Sequence, residues 1–259
     1  AASVFESAGQ CLSELTARGR CSRNVFHSLI RSCAKINHLG GAIWCTERML
    51  QSGVEPTIAI FNSVIDACAR AGEVARAESW LRTMREAGQR PTVVSYSSML
   101  HACAMASDSG QAEAWLATMM EESRSDPLLK PNTICYNAVI HACSKAGDVE
   151  RAAHWISAMA AEGVRPTVNS YSTIIDRLAK AGDIAGAEAW LGRMAKAGVE
   201  ADVVSYNMIL CKYCKAEDID RAVALFQQML SRGVQPNTVC YNLMINAHAR
   251  AGDAAGAMR

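Results

Sequence analysis

With 259 residues, 50% hydrophobic and 20% charged, the chain is too apolar for a disordered protein and rich enough for a continuous core. A formal net charge of +1 leaves bulk electrostatics silent on nucleic acid, so the placement of the basic residues has to decide. No run of about 20 residues is free of charges or turn residues, so nothing resembles a membrane-spanning helix.

Read in chain order, the sequence repeats itself. Residues 1–22 read as the second helix of a partial repeat, with Ala8, Leu12, Leu15 and Gly19 in the expected places. Six complete units follow, 23–57, 58–92, 93–132, 133–167, 168–202 and 203–237, and 238–259 form a second partial repeat. Phe61, Tyr96, Tyr136, Tyr171, Tyr206 and Tyr241 occupy one equivalent place near the start of their units. Ala recurs at 42, 77, 112, 152, 187, 222 and 257, and Met at 49, 84, 119, 159, 194 and 229. Every spacing is 35 residues except one of 40, across Glu121 to Lys130, which places a five-residue insertion in the closing loop of 93–132. A period of this size marks a solenoid of stacked supersecondary units, which grows by addition and has no single-core size limit. Because the pattern stops inside a second helix, the chain is expected to be a fragment of a longer array.

The unit 133–167 shows the internal pattern. Tyr136, Val139, Ile140 and Cys143 fall at i, i+3, i+4 and i+7, one apolar face of a helix. Gly147 stops that helix and Asp148 caps the next, which carries Ala152, Trp155, Ile156 and Met159 at the same spacing. Gly163 ends it and Pro166 forbids its continuation. Each unit is thus a hairpin of two amphipathic helices, and the fold expected for 1–259 is an all-α, right-handed superhelical α-solenoid. The Trp row at 80, 115, 155 and 190 and the Met row read as core. Cys33, Cys68, Cys103 and Cys143 share one point on the apolar stripe, so the 11 cysteines read as no disulfide framework but a reduced interior, in an intracellular or organellar compartment.

A unit reading Val-Val-Ser-Tyr-Asn…Ile…Cys-Lys-Ala…Ala…Leu-Phe…Met…Gly-Val-Gln-Pro-Asn, as 203–237 does, resembles the pure-type pentatricopeptide repeat (PPR). Tetratricopeptide repeats run at about 34 residues with Trp in the first helix, whereas here Trp lies in the second. The resemblance implies single-stranded RNA binding, one base per repeat, with selectivity in the fifth and last residues of each unit. Those pairs are His27 and Thr57, Asn62 and Thr92, Ser97 and Asn132, Asn137 and Thr167, Ser172 and Asp202, and Asn207 and Asn237, with Asn242 opening another. It also implies that Val94, Ile134, Val204 and Val239, second in their units, sandwich the bases; the alternative is a hydrophobic staple at the helix start. Asn169 and Ala59 depart from that pattern.

The residues support these roles on their own terms. Asn62, Ser97, Asn137, Ser172, Asn207 and Asn242 follow the core aromatic directly and carry amides or hydroxyls able to meet base edges. The competing reading is that Thr57, Thr92 and Thr167 are helix caps. Lys35, Arg70, Lys145, Lys180, Lys215 and Arg250 form a ladder of one cation per repeat, broken by Met105, that suits a phosphate backbone. The alternative is a cation answering the helix dipole. At the closing position Asp only accepts, which suits guanine N–H groups, while Asn can also donate to adenine or cytosine. With the parallel polarity implied by the resemblance, units 58–237 should read 5′-pyrimidine-A-pyrimidine-G-C-3′.

No catalytic site, metal site or cofactor is expected. Cys211 and Cys214 lack a second ligand pair, His101 and His141 lack a nearby carboxylate, and no deaminase signature of H-x-E with C-x-x-C occurs. Two functions follow. One is a sequence-selective RNA binder in processing, stability, editing or translation of a mitochondrial or plastid transcript, the organelle being implied by the resemblance. The other is a non-catalytic scaffold subunit of a large organellar assembly such as a ribosome, contacting proteins. Neither involves membrane insertion.

Overall fold

The computed structural model describes residues 23–253, which form helices α1 (Arg23–Lys35), α2 (Leu39–Gln51), α3 (Ile58–Arg70), α4 (Val74–Glu86), α5 (Val93–Ala106), α6 (Ser109–Glu122), α7 (Thr133–Ala146), α8 (Val149–Ala161), α9 (Val168–Ala181), α10 (Ile184–Lys196), α11 (Val203–Lys215), α12 (Ile219–Ser231) and α13 (Thr238–Arg250). A single 3-10 turn, Pro127–Leu129, lies in the insertion. Among the described residues there is no strand, and the all-α repeat architecture read from the sequence is the one observed. The apolar pattern read at Ala8, Leu12, Leu15, Gly19 and Ala257 lies outside the described residues.

Local signals set each hairpin. The residue between paired helices has positive φ at one recurring place: Gly72, Gly147, Gly182 and Gly252, with Asn37, Ser107 and Glu217 standing in. Glycine carries no Cβ penalty there, whereas Ser107 (φ 61°) and Glu217 (φ 59°) hold a conformation that disfavours side chains. The following residue then caps the second helix. Asp108, Asp148, Asp183 and Asp218 accept the backbone N–H three residues on, at 2.9, 2.9, 2.8 and 3.2 Å.

Burial follows the two stripes. Ala42, Ala77, Ala112, Ala152, Ala187 and Ala222 are inaccessible, as are the six methionines of the Met row, each Met side chain worth about 1.5–3 kcal/mol of burial. Within a hairpin the aromatic of the first helix meets the Trp of the second. Phe61–Trp80, Tyr96–Trp115 and Tyr171–Trp190 have centroids 6.4, 6.2 and 6.2 Å apart and planes tilted by 51°, 55° and 54°. The near identity of these three geometries shows one packing solution repeated. Cys33, Cys68, Cys103 and Cys143 are buried, and desolvation pushes the Cys68 thiol up to about 11 and the Cys103 thiol up to about 12.

The chain divides into two compact units between Ala142 and Cys143, inside α7. In the first, α1 packs on α2 and α3, α3 on α4 and α5, and α5 on α6, while α2 reaches α3 and α4 reaches α5. The second repeats this logic: α9 packs on α10 and α11, and α11 on α12 and α13. Within each unit first helices therefore stack on first helices, and α2, α4, α10 and α12 each wedge between their own first helix and the next.

Glu122 closes α6 and accepts from Tyr96 Oη at 2.6 Å and from Arg85 at 2.8 Å, and Arg85 also donates to Tyr96 Oη at 2.7 Å. Burial, and next the hydrogen bond to Glu122, raise the Tyr96 hydroxyl far above its ordinary 10.0. Beyond it, Asp126 caps the 3-10 turn through Leu128 N at 3.0 Å, Leu129 is buried and Leu128 is exposed.

Candidate nucleic-acid interface

The first turn of each first helix gathers the residues singled out above. In the first unit, Asn62 and Thr92 lie 30 residues apart in sequence, yet Asn62 Nδ2 is 3.5 Å from Thr92 Oγ1. Thr92 is the N-cap of α5, and Ser95, three residues on, completes a capping box with it. The Ser95 hydroxyl accepts the Thr92 backbone N–H at 3.0 Å and donates to Asn62 Oδ1 at 2.6 Å. Ser97 turns back to Val94 O at 3.0 Å, and Asn132 caps α7 by accepting from Ile134 N and Cys135 N at 3.0 and 3.2 Å. Thr57 caps α3 by position only, with no side-chain hydrogen bond to the helix, and His27 is half-buried.

The second unit repeats the arrangement. Asn207 Nδ2 is 3.4 Å from Asn237 Oδ1, and Asn237 caps α13 through Cys240 N at 3.1 Å. Cys240 Sγ donates to Asn207 Oδ1 at 2.9 Å and lies 3.2 Å from Asn237 Oδ1. Asp202 caps α11 with one oxygen, Oδ1, which accepts from Ser205 N at 2.8 Å and from Ser205 Oγ at 2.7 Å. The cap therefore fixes the carboxylate through Oδ1 and leaves Oδ2 outside the cap. Ser172 folds back toward Asn169 O at 3.5 Å, which leaves space a larger side chain would fill. Thr167 caps α9, its N–H donating to Ser170 Oγ at 3.0 Å. Asn137 is half-buried and Asn242 exposed.

The closing residues are thus helix caps, as the simpler reading has it. In two pairs that each lie within one unit, Asn62 with Thr92 and Asn207 with Asn237, the cap and the fifth residue are also brought side by side. A capping Asn engages its oxygen, so the amide N–H groups of Asn132 and Asn237 are left available, while Asp202 presents an acceptor.

Val94, Ile134, Val204 and Val239 are 56%, 64%, 52% and 53% exposed, although Val139 and Ile140 on the stripe of α7 and Ile209 on that of α11 are inaccessible. Four branched apolar side chains standing in water at one repeat position are out of keeping with a surface made only for solvent. Asn169 and Ala59 are likewise exposed at that position.

All six ladder cations are exposed, each within the last turn of its helix, a place that also answers the helix dipole. Within the series Arg70 pairs with Asp66 at 2.8 Å, Lys180 with Asp176 at 2.7 Å and Arg250 with Glu217 at 3.1 Å. Such exposed pairs are worth only a few tenths of a kcal/mol to about 1 kcal/mol, so a phosphate can compete for the cation. Lys35, Lys145 and Lys215 complete the series. His101 and His141 are half-buried; Cys214 is buried and Cys211 partly exposed.

Sequence reasoning missed two sets of residues. The carboxylates Asp66 and Asp176 were signalled by their i−4 spacing from the ladder. The buried third residues, Ser95, Cys135, Ser170, Ser205 and Cys240, were signalled by recurring at the repeat period as small polar side chains inside an apolar stripe.

Against known proteins, the profile described as "PPR repeat family" matches residues 56–105, 131–180 and 201–250, more than half of the chain. "Pentatricopeptide repeat domain" matches 12–71, and "PPR repeat" matches 94–123 and 169–199. No curated protein matches the chain. Among solved structures, the PPR domain of Arabidopsis thaliana protein-only RNase P 1, in complex with tRNA, is similar at 18% identity and TM-score 0.52, covering 74% of this chain and 98% of that one. Arabidopsis thaliana nuclear protein-only RNase P 2 is similar at 14% identity and TM-score 0.58, covering 74% of this chain and 42% of that one. The maize pentatricopeptide repeat protein PPR10 is similar at 19% identity and TM-score 0.43, covering 96% of this chain, and this chain spans 45% of its length. Taken with a helical hairpin repeated at a 35-residue period, the profile matches show that the chain belongs to the pentatricopeptide repeat family.

Proposed function

We propose that this protein binds single-stranded RNA, one base per repeat, as a binding module and not an enzyme, in processing, stability, editing or translation of a mitochondrial or plastid transcript. The observation that carries the reading is an exposed branched apolar residue on the same helical turn as a fifth residue whose side chain meets the cap of the next first helix. Val204 beside Asn207 and Asn237 is the clearest instance. Bases are flat, apolar on their faces and polar on their edges, and unstacked bases of single strands present both. Apolar side chains take the faces, the Asn, Ser, Thr and Asp pairs take the edges, and the cation ladder takes the phosphates. A protein of the same fold, the PPR domain of protein-only RNase P 1, is solved in complex with tRNA.

The assignments give 5′-pyrimidine-A-pyrimidine-G-C-3′ for units 58–237. Selection from a random single-stranded RNA pool should enrich this pentamer, with G at the step of Ser172 and Asp202 the most constrained. Recovery of no base preference, or of double-stranded RNA in preference, overturns it. The pairing of Arg70, Lys180 and Arg250 with carboxylates favours the second reading, a scaffold subunit that contacts proteins. That reading takes over if RNA binding is absent and defined protein partners co-purify.

A further inference from the structure

The fifth residue of a repeat does not orient itself. Asn62 Oδ1 receives the Ser95 hydroxyl at 2.6 Å, and Asn207 Oδ1 receives the Cys240 thiol at 2.9 Å. Ser95 and Cys240 are both the third residue of the following unit, both inaccessible, and both lie behind the fifth-residue side chain. Each is held in turn by a backbone N–H, that of Thr92 at 3.0 Å and that of Asn237 at 3.4 Å. The relay therefore runs from the backbone of the capping residue, through a buried hydroxyl or thiol, to the carbonyl oxygen of the Asn amide.

We propose that the third residue of a repeat, where it carries a hydroxyl or thiol behind an Asn, is a positioning residue for base selection, fixing which end of the preceding Asn amide faces the RNA. This rests on the base-reading function proposed above. With Oδ1 engaged, Asn62 and Asn207 offer N–H donors only. One N–H of each is directed at the closing residue, Thr92 Oγ1 at 3.5 Å or Asn237 Oδ1 at 3.4 Å, and the other remains for a base acceptor. Asn thus reads as a donor, which narrows the donor-and-acceptor role that its chemistry alone permits. Where the fifth residue is Ser172, too short to reach back, the same position changes partner: Ser205 donates to Asp202 Oδ1 at 2.7 Å and orients the closing residue instead. Behind His27 the third residue is Ile60, which has no proton to give, so that step is expected to discriminate poorly.

The test uses Ser95→Ala, Ser95→Cys, Cys240→Ala and Cys240→Ser in the whole chain, with short single-stranded RNAs that differ only at the base facing Asn62 or Asn207. The Ala variants should lose about 2- to 12-fold in pyrimidine-over-purine preference at their own step, the size of one neutral hydrogen bond. Preference at the Asp202 step should be unchanged, which also reports that the variant is folded. Ser95→Cys and Cys240→Ser keep a donor and should retain most of the preference, a rescue that a merely structural role would not give. A second readout needs no RNA: the side-chain amide resonance of Asn62 should shift and exchange faster with solvent in Ser95→Ala, and less so in Ser95→Cys. An unmoved amide resonance, or undiminished discrimination in Ser95→Ala, overturns the positioning role. If the amide responds while the unaltered protein shows no base preference, base reading fails and the relay stands.

Discussion

Replacing Asp202 by Asn should move the preferred fourth base from guanine toward adenine. Asp202 spends Oδ1 on its cap, accepting from Ser205 N at 2.8 Å and from Ser205 Oγ at 2.7 Å, so its orientation is set by the helix and not by the ligand. An Asn in its place keeps an oxygen in the cap, as Asn132 and Asn237 do at their helices, and puts an amide where Oδ2 stood. One acceptor becomes one donor at a fixed point. A hydrogen bond to a charged group is worth about 1.5–3 kcal/mol, so guanine preference should fall by about 10- to 150-fold. Asn and Asp are equally good N-caps, so the melting temperature should hardly move, whereas Asp202→Ala should cost about 1 kcal/mol of stability. The assay is fluorescence anisotropy at constant salt with end-labelled RNAs that differ only at the fourth base. Equal affinity for guanine and adenine in both proteins, or a shift shared by neighbouring steps, refutes the reasoning.

Removing Lys35 and Lys215 together should weaken all RNAs alike and lower the slope of log affinity against log salt by about 0.7 per lysine, read from titrations at several salt concentrations. Asp176→Asn, which releases Lys180 from its 2.7 Å partner, should change affinity in the opposite direction. Because the buried thiols of Cys68 and Cys103 rise from 9.0 to about 11 and about 12, the folded state holds protons that the unfolded state gives up. Their stabilising effect is therefore complete below about pH 9 and declines as pH rises through 11 to 12, so urea midpoints should fall over that range, and less so in a Cys68→Ala, Cys103→Ala protein. Met84→Ala should cost about 2–5 kcal/mol by opening a cavity at an inaccessible site, measured by urea unfolding.

The hairpins were legible in the sequence because two signals coincide along the array, a helical apolar period in every unit and a Gly-Asp boundary, or a close variant of it, at the same register. Ser107 and Glu217 show the reach of that reading: neither is Gly, yet the repeat register places both in the same left-handed turn. The relay at Ser95 and Cys240 was not read, although its recurrence was visible. A small polar residue in a buried stripe looks like a tolerated substitution until its partner, 33 residues earlier in the chain, is seen beside it. The carboxylate partners of the ladder were overlooked for a different reason. Asp66 and Asp176 stand one helical turn before their cations, and a pattern of one charge per repeat does not show how much of that charge each leaves free for a phosphate.

Placing the closing residue of each repeat at the N-cap of the next helix joins two demands on a single side chain. Few residue types accept a backbone N–H in that geometry, chiefly Ser, Thr, Asn and Asp. On the base-reading function proposed above, the vocabulary for discriminating bases at this position is therefore set by what starts a helix, before any ligand is considered. Substitutions within that set, such as Asp for Asn, can retune recognition at almost no cost to folding. Substitutions outside it have to be tolerated by the fold first. Such a module can diverge rapidly in what it recognises while its scaffold stays constant, because the residues most free to vary are those the helix will accept interchangeably.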